Sequence, residues 1–380
     1  MTETVLTNAR IVLADRVIDG TVVTRGEMIV EVDEGRSQLL SAIDCEGDFL
    51  TPGFVELHTD NLERHTMPRP GTFWPCDAAV LGHDREIAAA GITTVFNALY
   101  VGEVHSRSAR VERLTEMHDA IEEHMADGAL KVDHYFHWRC EVSYGGMIEL
   151  LQPLLDHRRL RLLSVMDHTP GQRQFTDLDR YKEYYQGKFG MSDAELAEFI
   201  AQRTEDQKQH SARNRAAVVR LAQERGLSLA SHDDATVEHV EEAIRDGICI
   251  AEFPTTFESA SASHKAGLSV LMGAPNIVRG KSHSGNVSAR ELGERGVLDI
   301  LSSDYVPGSL LYGALLLERA AGSITLPEAI ATITRNPARS VGLDDRGEIA
   351  AGQRADLVRF HVTKKAPVIG DVWRAGKKIA

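Results

Sequence analysis

No C-x-x-C pair occurs among the four cysteines of this 380-residue chain, Cys45, Cys76, Cys140 and Cys249. Their scatter excludes a disulfide framework and a thiolate zinc knuckle, and it predicts reduced, mostly buried thiols. No apolar run is long enough to cross a bilayer, and Met1-Thr2-Glu3-Thr4 lacks the basic start and apolar block of a secretion signal. A cytoplasmic location is the expectation. Basic residues are in the minority: Lys plus Arg is 42 against 56 for Asp plus Glu, a formal charge of −14. That balance argues against nucleic acid and anionic membranes as partners, although local basic pockets remain compatible with it. Internal repeats, low-complexity linkers and the G-x-x-x-x-G-K-[ST] spacing of a P-loop are also missing. What is present, 43% apolar and 26% charged residues, is the composition of an ordinary globular protein long enough for two domains or one barrel with additions.

The run Thr51 to His65, TPGFVELHTDNLERH, is the most informative stretch. Thr51-Pro52-Gly53 is a turn, Phe54 to Leu57 reads as a buried strand, and His58 and Asp60 follow at its C-terminal end. Residues i and i+2 of a strand point to one side, so this pair can grip one metal. Taken alone, an H-x-D reads equally as a hydrogen-bonded strand end.

Eight candidate strands alternate with helical patterns: Phe54–Asp60, Thr93–Leu99, Lys131–Glu141, Leu160–Thr169, Leu227–Asp234, Ile248–Thr255, Leu268–Asn276 and Leu298–Val306. Eight closes a barrel. Val111, Leu114, Met117, Ile121 and Met125 give one apolar helical face, and Ser192 with Glu195 and Thr325 with Glu328 are capping boxes. Short strands open the chain (Val5–Leu13, Thr21–Val23, Met28–Val30) and close it (Gly347–Ile349, Ala355–Phe360, Asp371–Lys378). The predicted fold is α/β, a (β/α)8 TIM-like barrel at 53–342 with a small β-sandwich domain built from 1–52 and 343–380. A doubly wound open sheet is the competitor.

Polar, metal-capable residues end several of these strands: Glu141 in His137-Trp138-Arg139-Cys140-Glu141, His168 in Met166-Asp167-His168-Thr169, His232 in Ser231-His232-Asp233-Asp234, and Asp304 in Ser302-Ser303-Asp304-Tyr305. Each has a bland reading singly: Glu141 pairs Arg139, His168 is a satisfied core histidine, Asp304 caps a helix. Together with His58 and Asp60 they are the set a two-metal site requires.

The ligand order, the β segments at both ends and the Thr51-Pro52-Gly53 turn into the first ligand strand resemble the amidohydrolase superfamily of metal-dependent hydrolases. Within it, the strings PGFVELHTDNLE with MPRPG, HWRCE, MDHTPGQRQF, SHDDAT, EFPTT, MGAPN with RGKSHSGN, and SSDYVP resemble the diphosphatases of the carbon-phosphorus lyase pathway. The resemblance covers nearly the whole chain. It implies hydrolysis of α-D-ribose 1-methylphosphonate 5-triphosphate, a phosphorylated ribose phosphonate, to the 5-phosphate and diphosphate. It also implies a divalent metal cofactor, two ions, held by His58, Asp60, Glu141, His168, His232 and Asp304, with Asp304 as the catalytic base. The usual first-strand pair is two histidines, and Asp60 departs from it. A carboxylate there hardens the site, so manganese and magnesium stay open beside zinc. No lysine stands at a matching strand end to be carboxylated, which leaves Glu141 as the bridging candidate.

Charge on the phosphates calls for basic partners, and Arg69, Arg139, Arg173, Lys281 and His283 are the candidates. Each reads alternatively as a solvated surface charge. Pro68, Pro70, Gly71 and Gly171 favour Arg69 and Arg173, because they hold those loops in defined turns. Two other readings stand: a cyclic-amide hydrolase or deaminase of the same superfamily, and a metal-free scaffold. The metal's identity and the oligomeric state, a homo-oligomer included, are left open.

Overall fold

The structure is a computed structural model that describes residues 2–69, 71–104, 110–173, 186, 190–280, 286–322 and 324–380. Strands β1 (Glu3–Val12), β2 (Val17–Arg25), β3 (Met28–Glu34), β4 (Ile43–Asp44) and β5 (Phe49–Pro52) precede the eight strands β6 (Phe54–Thr59), β7 (Ile92–Val101), β8 (Asp133–Glu141), β9 (Leu160–Met166), β10 (Ser228–His232), β11 (Ile250–Glu252), β12 (Ser269–Gly273) and β13 (Ile300–Ser302). Strands β14 (Leu357–Val362), β15 (Pro367–Arg374) and β16 (Lys377–Lys378) end the chain.

All eight expected middle strands are present, and their order in the sheet is their order in sequence, β6 through β13, with parallel ladders. A doubly wound sheet would reverse its strand order at a switch point, and this one does not. The two ends of the order meet, since a parallel bridge joins Thr59 to Asp304. This is the sequential strand order of a (β/α)8 barrel. Both faces of the strands are covered, so β6, β7 and β8 are buried at every position, ionisable residues such as Glu56, His134 and Glu141 included.

The outer strands join both ends of the chain in one sheet, β16-β15-β14-β5-β1-β2-β3, with β4 paired to β1. Its core holds Leu6, Ile11, Val22, Ile29, Leu50, Leu357 and Trp373. Gly347–Ile349 is not a strand as expected. Gly347 has φ +95 and passes so close to Arg335 that a Cβ would lie 2.7 Å from its Cα, so the segment turns where a strand would extend. Ile349 still packs in the same core. Asp133, at the start of β8, accepts from Arg346 (3.1 Å) and Arg374 (2.9 Å) and pairs with Arg354, which ties the barrel strand to the terminal sheet.

Both capping boxes are formed. Ser192 opens the helix Asp193–Arg225, Thr325 opens Leu326–Ala331, and each cap exchanges hydrogen bonds with the Glu three residues on. The apolar face from Val111 to Met125 lies on Arg110–Ala126. Among the described residues no helix is long and apolar enough to cross a membrane.

Two compact units divide the chain. The first is Met1–Asn97, Ala120–Tyr135 and Met272–Ala380; the second is Ala98–Asp119 and Phe136–Leu271.

Candidate active site

In the first unit, β6 and β13 bring His58, Asp60 and Asp304 together through their backbones. Asp60 N–H donates to Asp304 O (2.8 Å), Asp304 N–H donates to His58 O (3.2 Å), and Thr59 Oγ1 donates to Asp304 O (2.8 Å). Glu56, one same-face position before His58, accepts from the His58 and Ser303 amides at 2.7 and 2.5 Å. Burial is the largest influence on this carboxyl and pushes it up to about 7, although those hydrogen bonds pull it down. Glu56 therefore fastens β6 to β13. Its type and spacing were visible in the sequence, yet within an apolar run it carried no signal of its own.

Asp304 has φ +54, and Asp233 and Phe253, the residues that follow β10 and β11, have φ +59 and +53. Left-handed backbone at non-glycine residues is uncommon and gathers at functional sites. Three strand ends of this sheet share it, each where the chain must turn abruptly from a buried strand into a loop.

The second unit brings together Glu141, His168 and His232. His168 Nδ1 donates to Glu141 Oε2 (2.7 Å), which also accepts from the Tyr100 hydroxyl (2.5 Å). Glu141 Oε1 accepts from Arg203 (3.2 Å), the His168 amide (3.2 Å) and Ser143 Oγ. Burial works hardest against ionisation of Glu141, but His168, Arg203 and Ser143 outweigh it and hold the carboxyl down at about 2. Both oxygens are thus engaged by donors, and as a bridging ligand Glu141 would exchange some of them. The Arg139 guanidinium lies 5.4 Å from the Tyr100 ring centroid.

With its proton on Nδ1, His168 has Nε2 available. Donor atoms of His168, His232 and Asp233 lie within 4.8 Å of one another. Two imidazoles and a carboxylate at that spacing, largely buried, fit a divalent metal ion. His232 Nδ1 in turn faces Glu252 Oε2 at 3.3 Å, an arrangement that fixes the tautomer of a ligating histidine. Burial first, and Arg139 after it, lower the pKa of His232 against the pull of Asp233 and Glu252, so the ring is neutral and able to ligate. Asp233, Glu252, Tyr100 and Arg203 were not singled out from sequence. Asp233 stood beside His232, but Arg203 lies 62 residues from Glu141 and only folding pairs them.

Arg173 is buried and held by Asp234 and Glu242, the latter at 2.7 Å. As a phosphate clamp it would trade these carboxylates for substrate. Arg69 is exposed, in a turn whose Thr72 amide donates to its carbonyl (2.9 Å). Lys281 and His283 lie outside the described residues.

A sequence model of the amidohydrolase family matches residues 77–377. The chain belongs to the amidohydrolase family. Its relatives include alpha-D-ribose 1-methylphosphonate 5-triphosphate diphosphatase of Escherichia coli, 44% identical over 376 residues, which is 99% of this chain and 100% of that one. Among solved amidohydrolase-like structures, N-isopropylammelide isopropylaminohydrolase from Burkholderia multivorans aligns with a TM-score of 0.66 at 18% identity, covering 100% of this chain and 98% of that one. N-acetylglucosamine-6-phosphate deacetylase from Pasteurella multocida aligns with a TM-score of 0.62 at 14% identity, covering 99% of both. At such identities the shared property is the amidohydrolase fold.

Proposed function

We propose that this chain hydrolyses α-D-ribose 1-methylphosphonate 5-triphosphate to the 5-phosphate and diphosphate, as a cytoplasmic step of phosphonate catabolism. The observation that carries the proposal is end-to-end: 44% identity to a diphosphatase of that specificity over 99% of this chain, with no part of the relative left unmatched. The products require water to be added across the anhydride bond between the α and β phosphorus atoms. One water and one P–O bond are consumed, and no redox partner enters.

Residues 53–342 act as the catalytic barrel, and 1–52 with 343–380 as a β-sandwich domain of the family type. His58, Asp60, Glu141, His168, His232 and Asp304 hold the divalent cofactor, two ions, with zinc foremost and manganese and magnesium open. Bound there, such ions supply Lewis acidity toward phosphate oxygens and make water a stronger acid. Asp304 takes the proton from the attacking water. Its backbone is fixed against β6, and its left-handed φ turns the residue out of the strand. Glu141 orients His168, and Glu252 orients His232. Arg69, Arg139, Arg173, Lys281 and His283 bind the polyanion; phosphoryl transfer asks mainly for charge placed on non-bridging and leaving oxygens.

Phosphorus NMR tests the proposal. The metal-loaded chain incubated with the triphosphate is expected to give diphosphate and the 5-phosphate, and a chelator-stripped control is expected to give neither. An unchanged spectrum with metal bound would refute the proposed substrate and favour a cyclic-amide hydrolase or deaminase. No reaction and no metal binding would favour a scaffold.

A further inference from the structure

Behind the first ligand strand, the first unit contains a buried polar chain that the proposed mechanism does not use. Asp60 is followed directly by Asn61, the first residue of α1 (Asn61–Thr66). The Asn61 side chain is fully buried, and its Nδ2 makes two hydrogen bonds, to Glu86 Oε2 (3.1 Å) and to His83 Nδ1 (3.0 Å). His83, on α2 (Cys76–Ala89), reaches Asn97 Oδ1 with Nε2 (3.1 Å). Asn97 Nδ2 reaches His134 Nδ1 (3.2 Å) and Tyr135 O (3.1 Å), and His134 Nε2 reaches Asp84 Oδ1 (3.2 Å). Asn61, His83, Asn97, His134 and Asp84 are each at most 1% exposed.

The direction of every bond in this chain is fixed from both ends. At one end only an N–H of Asn61 can face the Glu86 carboxylate, so its other hydrogen points at His83 Nδ1 and that atom accepts. The His83 proton is then on Nε2 and goes to Asn97 Oδ1. At the other end Asp84 can only accept: the Lys131 and Val132 amides donate to it at 2.9 and 3.0 Å, and His134 must present Nε2–H. His134 Nδ1 therefore accepts from Asn97 Nδ2, which agrees with the amide orientation reached from the first end. Burial is the main cause that takes His83 down to about 3, with the neighbouring imidazoles adding to it, so the ring is neutral across the working pH range.

We propose that His83 and Asn97 are positioning residues for Asp60, acting through the Asn61 side chain. The proposal rests on Asp60 being a metal ligand. Asp60 has φ −90 and ψ 7, in the sparsely allowed bridge region, with its own amide tied to Asp304 O and the next side chain tied to His83 and Glu86. The carboxylate of Asp60 thus projects from a backbone pinned on both sides. Release of the Asn61 side chain leaves α1 tied to Glu86 only through Arg64 and His65 in its last turn, so the first turn, next to Asp60, loses its anchor and the ligand its preset direction.

The test is the Zn2+ affinity of the whole chain, measured by competition with a chromophoric chelator, beside the unfolding midpoint of each metal-free variant. Asp60→Ala is the reference and is expected to weaken binding strongly. His83→Phe keeps a ring but neither hydrogen bond, and it is expected to weaken affinity about 10–100-fold. His83→Gln, which retains a donor and an acceptor, is expected to recover most of that loss. Asn61→Ala removes only the last link and carries the same expectation as His83→Phe, including where the latter fails to accumulate as folded protein. A lowered unfolding midpoint with parental Zn2+ affinity in both His83→Phe and Asn61→Ala, alongside a weakened Asp60→Ala, overturns the positioning role alone. Equal losses in the Gln and Phe variants also overturn it, since volume and not hydrogen bonding would then be at stake. Parental affinity in Asp60→Ala overturns the ligand reading itself, and the positioning role falls with it.

Discussion

Glu141→Gln removes one negative charge and almost no volume from a buried carboxylate that accepts from five donors. Tyr100, His168, Arg203 and Ser143 all present hydrogens to that carboxylate, so the amide NH2 of glutamine would face donors where the parent had acceptors. The magnitude follows from the same contacts. They hold Glu141 at about 2 from an ordinary 4.5, and at 1.36 kcal/mol per tenfold change in acidity the difference contributes about 3 kcal/mol. A carboxyl depressed in the folded state stabilises it fully above its unfolded value and loses that contribution as pH falls from about 4.5 to about 2. Urea unfolding of the chelator-treated proteins should therefore show Glu141→Gln less stable by about 3 kcal/mol at pH 7, with the gap narrowing below about pH 4.5 as the parent carboxyl is protonated. A loss under about 1 kcal/mol at pH 7 would refute the reasoning, because donors that can relax that cheaply are not gripping an ionised carboxylate.

Asp304→Asn keeps a residue type that tolerates the left-handed φ of +54, so Zn2+ binding is expected to stay largely intact while kcat falls by about 100-fold or more; near-normal turnover removes Asp304 as the base. Arg173→Ala is expected to raise KM for the triphosphate, and unchanged KM and kcat would take Arg173 out of the site. It also strands the buried Asp234, while Glu242 keeps Arg215 at 3.4 Å, so the unfolding midpoint must be read alongside the kinetics. Gly53→Ala would drive a methyl group into Thr93 Oγ1 and to 2.9 Å from Asp356 Cβ, where the Gly53 amide donates to Asp356 O. Overpacking of this kind should cost about 1–3 kcal/mol in urea unfolding, and a neutral result would mean that the turn into β6 is looser than its contacts imply.

Local, repeated signals survived translation into structure best. The eight middle strands, the capping boxes at Ser192 and Thr325 and the apolar face from Val111 to Met125 all appeared as expected, because periodicity and caps act within a few residues of chain. Gly347–Ile349 failed as a strand for a non-local reason, the backbone of Arg335 pressed against Gly347. The strand-end residues were readable because metal-capable residue types stand where apolar strand patterns stop. Their supports were not. Arg203 on Glu141 and Glu252 on His232 are contacts across 62 and 20 residues. Arg173 showed the converse, since nothing near it in sequence announced the carboxylates that hold it.

By itself, then, the sequence determined the order and kind of the elements and the residue types that end the strands, since hydrophobic alternation, turns and caps are written into neighbouring residues. Tertiary structure alone decided which of those residues share a proton or a charge: that His168 offers Nε2 because Glu141 takes Nδ1–H, that Glu56 joins β6 to β13, and that a hydrogen-bonded chain runs from Asn61 to Asp84. Hydrogen bonds between side chains depend on distances of tenths of an ångström between segments far apart in the chain, and only closing the fold sets those distances.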